Sequence, residues 1–255
     1  MLQLDLTGHV AVITGATGQL GRVMARTLAA CGADVAIHYH QNRAKADELC
    51  AELGDLGRRT VAVTGDVGDK AAVFALRDAV MAGLGAPDII VTNAVSQIHP
   101  WQTVLDEEVE DYEDQFRTCV LQNVLMAKAF VPGMIERGWG RFIGINTECS
   151  MQLFPRYSAY GSAKRAMDGV LRVLAREVGS HQITVNQVAP GWTISDRDRA
   201  QGSEHQAGYE ASVPLARRGT DQEIANVVAF LASDLASYIT GAYIPVCGGN
   251  VMPTI

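Results

Sequence analysis

Short apolar runs alternate along this chain with longer stretches whose apolar residues recur every three or four positions. Residues 10–14 read as a first strand. Residues 18–30 follow as a helix, with Leu20, Val23, Met24 and Leu28 on one stripe. "DVAIHY" (34–39) predicts a second strand, and "NRAKADELCAELGDLG" (42–57) a polar-faced helix that closes on glycine. "TVAVTGDV" (60–67) predicts a third strand, 69–85 a helix and 87–94 a fourth strand. A long helix is expected near 107–136, with Pro132 close to its far end. "GRFIGIN" (140–146) reads as strand five, 157–179 as a helix, "ITVNQVAP" (183–190) as strand six, 221–234 as a helix and "GAYIPV" (241–246) as the last strand. Residues 193–212 are polar and are expected to be mobile.

Strands joined by crossover-length helices predict an α/β fold: a doubly wound, mostly parallel sheet of about seven strands, with helices on both faces. Neither a composition break nor an internal repeat divides the chain, so residues 1–255 are expected to form one domain. In such a fold a ligand sits beyond the carboxyl ends of the strands, near the point where the winding reverses.

Composition narrows the partners. A formal charge of −7 argues against general binding to nucleic acid or anionic membrane, while leaving room for a local phosphate pocket. The five cysteines, at 31, 50, 119, 149 and 247, are odd in number and lack paired spacing, which points to a reduced, cytoplasmic protein. No spacing suggests a metal site. The start "MLQLDLTGHV" does not read as a signal peptide, and no run approaches the ~18 apolar residues of a membrane span.

"TGATGQLG" (14–21) follows the first strand. Gly15 permits a tight turn, Gly18 a close phosphate, and Gly21 helix packing on the sheet. The helix amino terminus behind them offers free N–H groups and a positive dipole end to a pyrophosphate. Thr14, Gly15, Thr17, Gln19 and Leu20 are therefore candidate cofactor contacts, with Thr14 orienting the loop. Glycines in a turn that binds nothing are the competing reading. No lysine and Ser/Thr pair follows, so this is not a Walker-type loop. Strand two ends "HYHQNR" without a carboxylate, and His40 and Arg43 are placed to receive a 2′-phosphate, which favours NADP while leaving NAD possible. Asp66 after strand three is a candidate adenine contact or a turn cap, and Asn93 after strand four a cofactor contact or a loop brace.

"YSAYGSAKRAMDG" carries the candidate chemistry. Tyr160 and Lys164 are four apart and share a helix face. A phenol of pKa ~10 exchanges protons poorly at neutral pH, and a neighbouring ammonium is expected to lower that value. Tyr160 then protonates a carbonyl oxygen as hydride reaches its carbon, and takes the proton back in oxidation. Thr147, at the end of strand five, is a candidate to hydrogen-bond the carbonyl, or a turn residue.

In their order and spacing these segments resemble the classical short-chain dehydrogenase/reductases, with a look similar to the 3-oxoacyl-carrier-protein reductase branch. The resemblance rests on "TGATGQLG", "TNAV", "YGSAK", "VNQVAPG" and "YITGAYIPVCGG" and covers nearly the whole chain. It implies a Rossmann-like fold, with Tyr160 as acid/base, Lys164 as its partner and Thr147 at the family's catalytic serine. It also implies Asp66 and Val67 at the adenine, Asn93 at the cofactor, and Pro190, Gly191, Thr193 and Ile194 along the nicotinamide. A substrate loop and helix fall near 191–215, and a homotetramer built on the long helices and last strand is implied. Five positions depart from these family motifs: Gln19 and Val95 replace glycines, Thr92 an asparagine, Cys247 an aspartate, and Cys119 the catalytic asparagine that holds a relay water. Asn123 lies one turn beyond Cys119, as a substitute through a water or as a core amide.

The expected function is NADPH-dependent reduction of a ketone, or oxidation of the secondary alcohol, on a small-molecule substrate. A small cyclic ketone, sugar or polyketide fits the motifs equally. Arg197 and Arg199 in the polar loop are available for an acidic group or face water. The alternative is a catalytically weakened dinucleotide-binding regulatory or structural protein, which the departures at 19, 95 and 119 favour.

Overall fold

In the computed structural model, which describes residues 4–96 and 100–253, the predicted alternation becomes seven strands of a single sheet. The elements run β1 (Val10–Ile13), α1 (Gln19–Ala30), β2 (Asp34–Tyr39), α2 (Arg43–Asp55), β3 (Thr60–Thr64), α3 (Lys70–Leu84) and β4 (Ile89–Thr92). They continue through α4 (Val109–Phe116), α5 (Gln122–Arg137), β5 (Gly140–Ile145), α6 (Cys149–Gln152), α7 (Ser158–Val178) and β6 (Ile183–Pro190). Helices α8 (Asp196–Gln201), α9 (Ala207–Glu210) and α10 (Asp221–Ala232) precede β7 (Tyr243–Val246). The strand order is β3-β2-β1-β4-β5-β6-β7, and every pairing is parallel.

The two-residue period of a strand divides the core into two layers. On β1, Ala11 and Ile13 join Met24 and Leu28 of α1 and Ile224 and Val228 of α10 on one face. Val10 and Val12 join Leu76 and Val80 of α3, Phe130 of α5 and Leu171 of α7 on the other. Both faces are covered, which is why the strands read as continuous apolar runs. The winding reverses between β1, which pairs β2 through Val10↔Asp34, and β4, which it meets through Ala11↔Ile89.

Two expectations change. The long helix near 107–136 is not one regular α-helix: residues Arg117–Leu121, including Cys119, form a π-helical turn between α4 and α5. Pro132 sits inside α5 without ending it. The stretch 109–137 is long and apolar enough to cross a membrane, yet it packs against α3, α7 and the sheet as a core helix does. The polar stretch 193–212 is also not simply loop. It forms α8, closed by a Ser195/Asp198 capping box, and α9.

Candidate functional site

The carboxyl ends of β1 and β4 are joined by one hydroxyl. Thr14 Oγ1 accepts the amides of Asn93 (2.9 Å) and Ala94 (3.0 Å) and donates to Gln122 Oε1 (2.5 Å). Thr14 is wholly buried and orients the loop from beneath rather than lining the cleft. Gly15 adopts φ +62°, a left-handed conformation that glycine reaches without strain. Its amide donates to His38 Nδ1 at 3.0 Å, and the His38 Nε2–H donates to the Gly65 carbonyl at 2.9 Å. These partners assign a neutral imidazole to buried His38, and burial holds its pKa below the usual histidine value. A Cβ on Gly21 would overlap the Gly15 carbonyl oxygen, so this glycine lets α1 press onto the turn.

The result is a cleft of about 800 Å³ along the strand ends. Helix α1 opens into it with Gly18 as an N-cap that has no side-chain cap, which leaves the first-turn N–H groups available to an anion. Gly15, Thr17, Gln19, Leu20, His40 and Asp66 line the cleft toward β1–β3. Val67, Asn93, Thr147, Tyr160, Lys164, Pro190, Gly191 and Thr193 of the predicted set line it further along. Length, depth and the uncapped helix end fit a dinucleotide. Arg43 is not brought in: its guanidinium pairs with Asp47 at 2.8 Å on the exposed face of α2. Ile194 also stays out of the lining and instead offers its carbonyl to Gln19. For Asp66, burial raises the pKa, but the Gly68 amide and Arg117 outweigh it and hold the carboxyl below its usual value.

Gln19 has a structural reason to replace glycine. Its Nε2 donates to the Ile194 carbonyl at 2.8 Å, and its Oε1 accepts the Asp196 amide at 3.3 Å. One turn on, Arg22 grips both Asp196 carboxylate oxygens at 2.5 and 2.6 Å. Arg199 of α8 pairs with Asp221 at the start of α10 (2.7 Å), and Arg218 with Asp198 (2.7 Å). The polar segment after β6 is thereby strapped over the glycine loop. Arg199, offered by the sequence as an anion receptor, is committed to this strap.

Tyr160 and Lys164 face the cleft from α7, beside Thr147 at the end of β5. Lys164 Nζ donates to the Ile145 carbonyl at 2.6 Å and lies 5.8 Å from the Tyr160 ring centroid. The expected lowering of the Tyr160 pKa is not what this arrangement produces. Burial pushes it well above the usual phenol range, with the Thr147 hydrogen bond opposing, while the Lys164 ammonium is engaged by the Ile145 carbonyl. Burial also lowers the Lys164 pKa. Cys119 lies near Lys164 but packs with Val120, Ala163 and Val95 in a small apolar cluster, so two of the family departures are neighbours. Asn123 does not substitute for a polar group there. Its Nδ2 donates to the Cys119 carbonyl (2.6 Å) and its Oδ1 accepts from Thr92 Oγ1 (2.6 Å), the satisfied core amide of the two readings.

Beyond Tyr160 the cleft continues into a cavity of about 430 Å³. Its walls include Trp101, Phe154, Tyr157, Trp192 and Tyr209, with Glu148 among them.

A family model described as enoyl-(acyl carrier protein) reductase matches residues 15–250. The 3-oxoacyl-[acyl-carrier-protein] reductase FabG of Pseudomonas aeruginosa is 35% identical over 250 residues, covering 98% of this chain and 100% of that protein. The FabG of Escherichia coli is 36% identical with the same coverage. Among solved structures, a gluconate 5-dehydrogenase from Burkholderia cenocepacia, in complex with NADP and tartrate, superposes with TM-score 0.89 at 28% identity, over 97% of each chain. The promiscuous reductase LugOII, which performs a keto-reduction in lugdunomycin biosynthesis, superposes with TM-score 0.89 at 30% identity, over 97% of this chain and 100% of that one. The chain belongs to the short-chain dehydrogenase/reductase family. It falls in the branch similar to 3-oxoacyl-carrier-protein reductases and is an NAD(P)-dependent oxidoreductase of carbonyl and alcohol groups.

Within this family member, several side chains at the site escaped the sequence reading. Gln122 fastens the loop by donating to the Ala94 carbonyl (2.8 Å) while accepting from Thr14. His38 was legible as the middle of "IHY", but nothing local marks it as the brace of a loop 23 residues away. Arg117 reaches Asp66 across the cleft from the π turn.

Two predictions follow from this geometry. Above pH ~6.5, His38 is neutral folded or unfolded and its contribution to stability is complete. As pH falls through that value the unfolded chain takes up a proton that the folded site refuses, so stability declines. Chemical denaturation from pH 7.5 to 5 should show a shallower decline in His38→Gln, which keeps donor and acceptor but does not titrate. Gln19→Ala should speed amide exchange across residues 194–201 roughly fivefold, the ratio set by one hydrogen bond of about 1 kcal/mol. Unchanged exchange would mean that the arginine pairs hold the strap alone.

Proposed function

We propose that this protein reduces a ketone with NADPH, and oxidises the secondary alcohol in reverse, with Tyr160 as acid/base. The observation that carries the reading is the convergence of Tyr160, Lys164 and Thr147 where the dinucleotide cleft meets the aromatic cavity. The bound nicotinamide supplies or accepts the hydride. Thr147 holds the carbonyl oxygen, and Tyr160 delivers a proton to it as negative charge develops there. Lys164, carrying its charge beside Tyr160, stabilises the phenolate left behind and turns toward the cofactor ribose on binding. A raised pKa keeps Tyr160 protonated but makes it a weak donor, so both directions require Lys164 to leave the Ile145 carbonyl and approach the phenol. The apolar cluster of Cys119 and Val95 gives no polar side chain to a water relay at that point, so proton return to Tyr160 is slow or takes another path.

NADPH is preferred over NADH because β2 ends without a carboxylate and His40, Gln41 and Asn42 line that end of the cleft. Arg43 is held by an exposed pair with Asp47, which a 2′-phosphate can displace, and lies over the Tyr39 ring at 6.0 Å. The chain forms one domain whose residues 191–215 enclose the substrate, and it works in the cytoplasm, consistent with five unpaired cysteines. It assembles as a homotetramer. Phe116 and Val109 of α4 are exposed large apolar side chains, and an open groove between α4 and α7 is lined by Tyr112, Phe116, Ala163 and Ala166. A weakened, dinucleotide-binding regulator is the second reading, favoured by the Cys119–Val95 cluster beside Lys164.

Tyr160→Phe should lower kcat for ketone reduction by about 10²-fold or more while the NADPH dissociation constant, followed by fluorescence, changes little. NADPH binding without turnover of any ketone by the unaltered protein would favour the regulator. Light scattering should return a mass of four 27.3 kDa chains. A monomer would remove the assembly from the reading.

A further inference from the structure

The aromatic cavity holds a carboxyl group that the reaction just described does not use. Glu148 follows Thr147 and is 3% exposed, yet it lines the cavity. Its Oε1 accepts from Tyr209 Oη at 2.9 Å and its Oε2 from Asn250 Nδ2 at 3.1 Å. Both donors are neutral. Among the described residues Glu148 has no ion pair, and no lysine or arginine lines this cavity. The Arg218 guanidinium, which stacks on Trp192 at 4.6 Å, is committed to Asp198 at 2.7 Å. A buried carboxylate ordinarily has a cation beside it or becomes neutral.

The walls are rich in aromatic rings. Trp101 stacks on Tyr157 with centroids 4.9 Å apart, Phe154 meets Tyr157 edge-on at 6.3 Å, and Trp192 meets Tyr209 edge-on at 5.5 Å. Ring faces are negative and attract cations, most strongly when water is excluded. Among the described residues, six aromatic rings, Tyr160 included, and one carboxyl without an ion pair therefore surround about 430 Å³ at Thr147.

We propose that the substrate is a carbonyl compound bearing a positively charged nitrogen, an aminoketone or its amino alcohol, whose cation sits in the aromatic cavity against Glu148. This rests on the ketone-reductase reading and names its substrate class. Burial raises the Glu148 pKa in the ligand-free protein, and the arriving cation reverses that by favouring the carboxylate. The redox step leaves the nitrogen untouched. Hydride from NADPH adds to the carbonyl carbon, the C=O π pair takes the proton of Tyr160, and the products are the amino alcohol and NADP⁺. An anionic substrate finds no lysine or arginine among the described residues lining this cavity, and Arg199 is paired with Asp221 and Asp196.

The test uses three aliphatic methyl ketones of equal length, ending in trimethylammonium, in tert-butyl or in carboxylate. Turnover is followed by NADPH oxidation, and binding by quenching of tryptophan fluorescence, which needs no turnover. The cationic ketone should exceed its tert-butyl isostere by about tenfold in kcat/KM and in affinity, and the carboxylate-ended ketone should be poorest. Glu148→Gln should collapse the cation-to-neutral ratio toward one, a change that loss of a structural hydrogen bond alone would not produce. Trp192→Leu, at a half-exposed position, should reduce the same ratio and serves if Glu148→Gln fails to fold. Turnover of the neutral or anionic ketone equal to that of the cationic one overturns the substrate class and leaves the reductase standing. Preferential cation binding without turnover sustains the class and overturns the reductase. Absence of cation binding, or a ratio unmoved in the variants, overturns the inference.

Discussion

The site depends on the hydroxyl of Thr14. A doubly wound sheet opens a gap where its winding reverses, and the two strand ends that border the gap have to be held in register without filling it. Thr14 does this with three hydrogen bonds, to the amides of Asn93 and Ala94 and to Gln122, while remaining below the cleft floor. The left-handed turn at Gly15, the His38 brace and the tight seat of Gly21 follow from that anchor. They leave the amino end of α1 bare for a pyrophosphate. Residues with these geometric duties match the family pattern, whereas the departures fall where the loop meets other elements.

Those departures are organised. Gln19 exchanges a glycine for two hydrogen bonds to the segment after β6, which ties the cofactor loop to the wall of the substrate cavity. Val95 and Cys119 replace two small or polar positions with one apolar contact beside Lys164. Burial dominates the protonation of both Tyr160 and Lys164.

Most of the architecture was legible in the sequence because both faces of the sheet are covered, so each strand appears as an uninterrupted apolar run and each helix as a stripe. The π turn at Arg117–Leu121 was not, because one extra residue in a helix barely disturbs its periodicity. Arg43 was read as a cofactor contact from its place after β2, but Asp47 lies one turn along the same helix and competes for it. The Gln19 strap spans 175 residues, and the aromatic cavity draws on four separated segments. Spacing along the chain carries no trace of such meetings. Asn123 shows the same limit on a smaller scale, since its position one turn from Cys119 is compatible with either a water path or a core amide until Thr92 is seen against it.

In the proposed reaction a nicotinamide in the cleft at the strand reversal faces a carbonyl held by Thr147 and Tyr160. A deuterium label on the reactive carbon of NADPH can be followed into product by NMR, with the trimethylammonium-ended and tert-butyl-ended ketones as acceptors. One deuterium should appear on the carbinol carbon, on a single face, with none lost to water. NADPH bound in the cleft with no label transferred to either ketone would contradict this reaction.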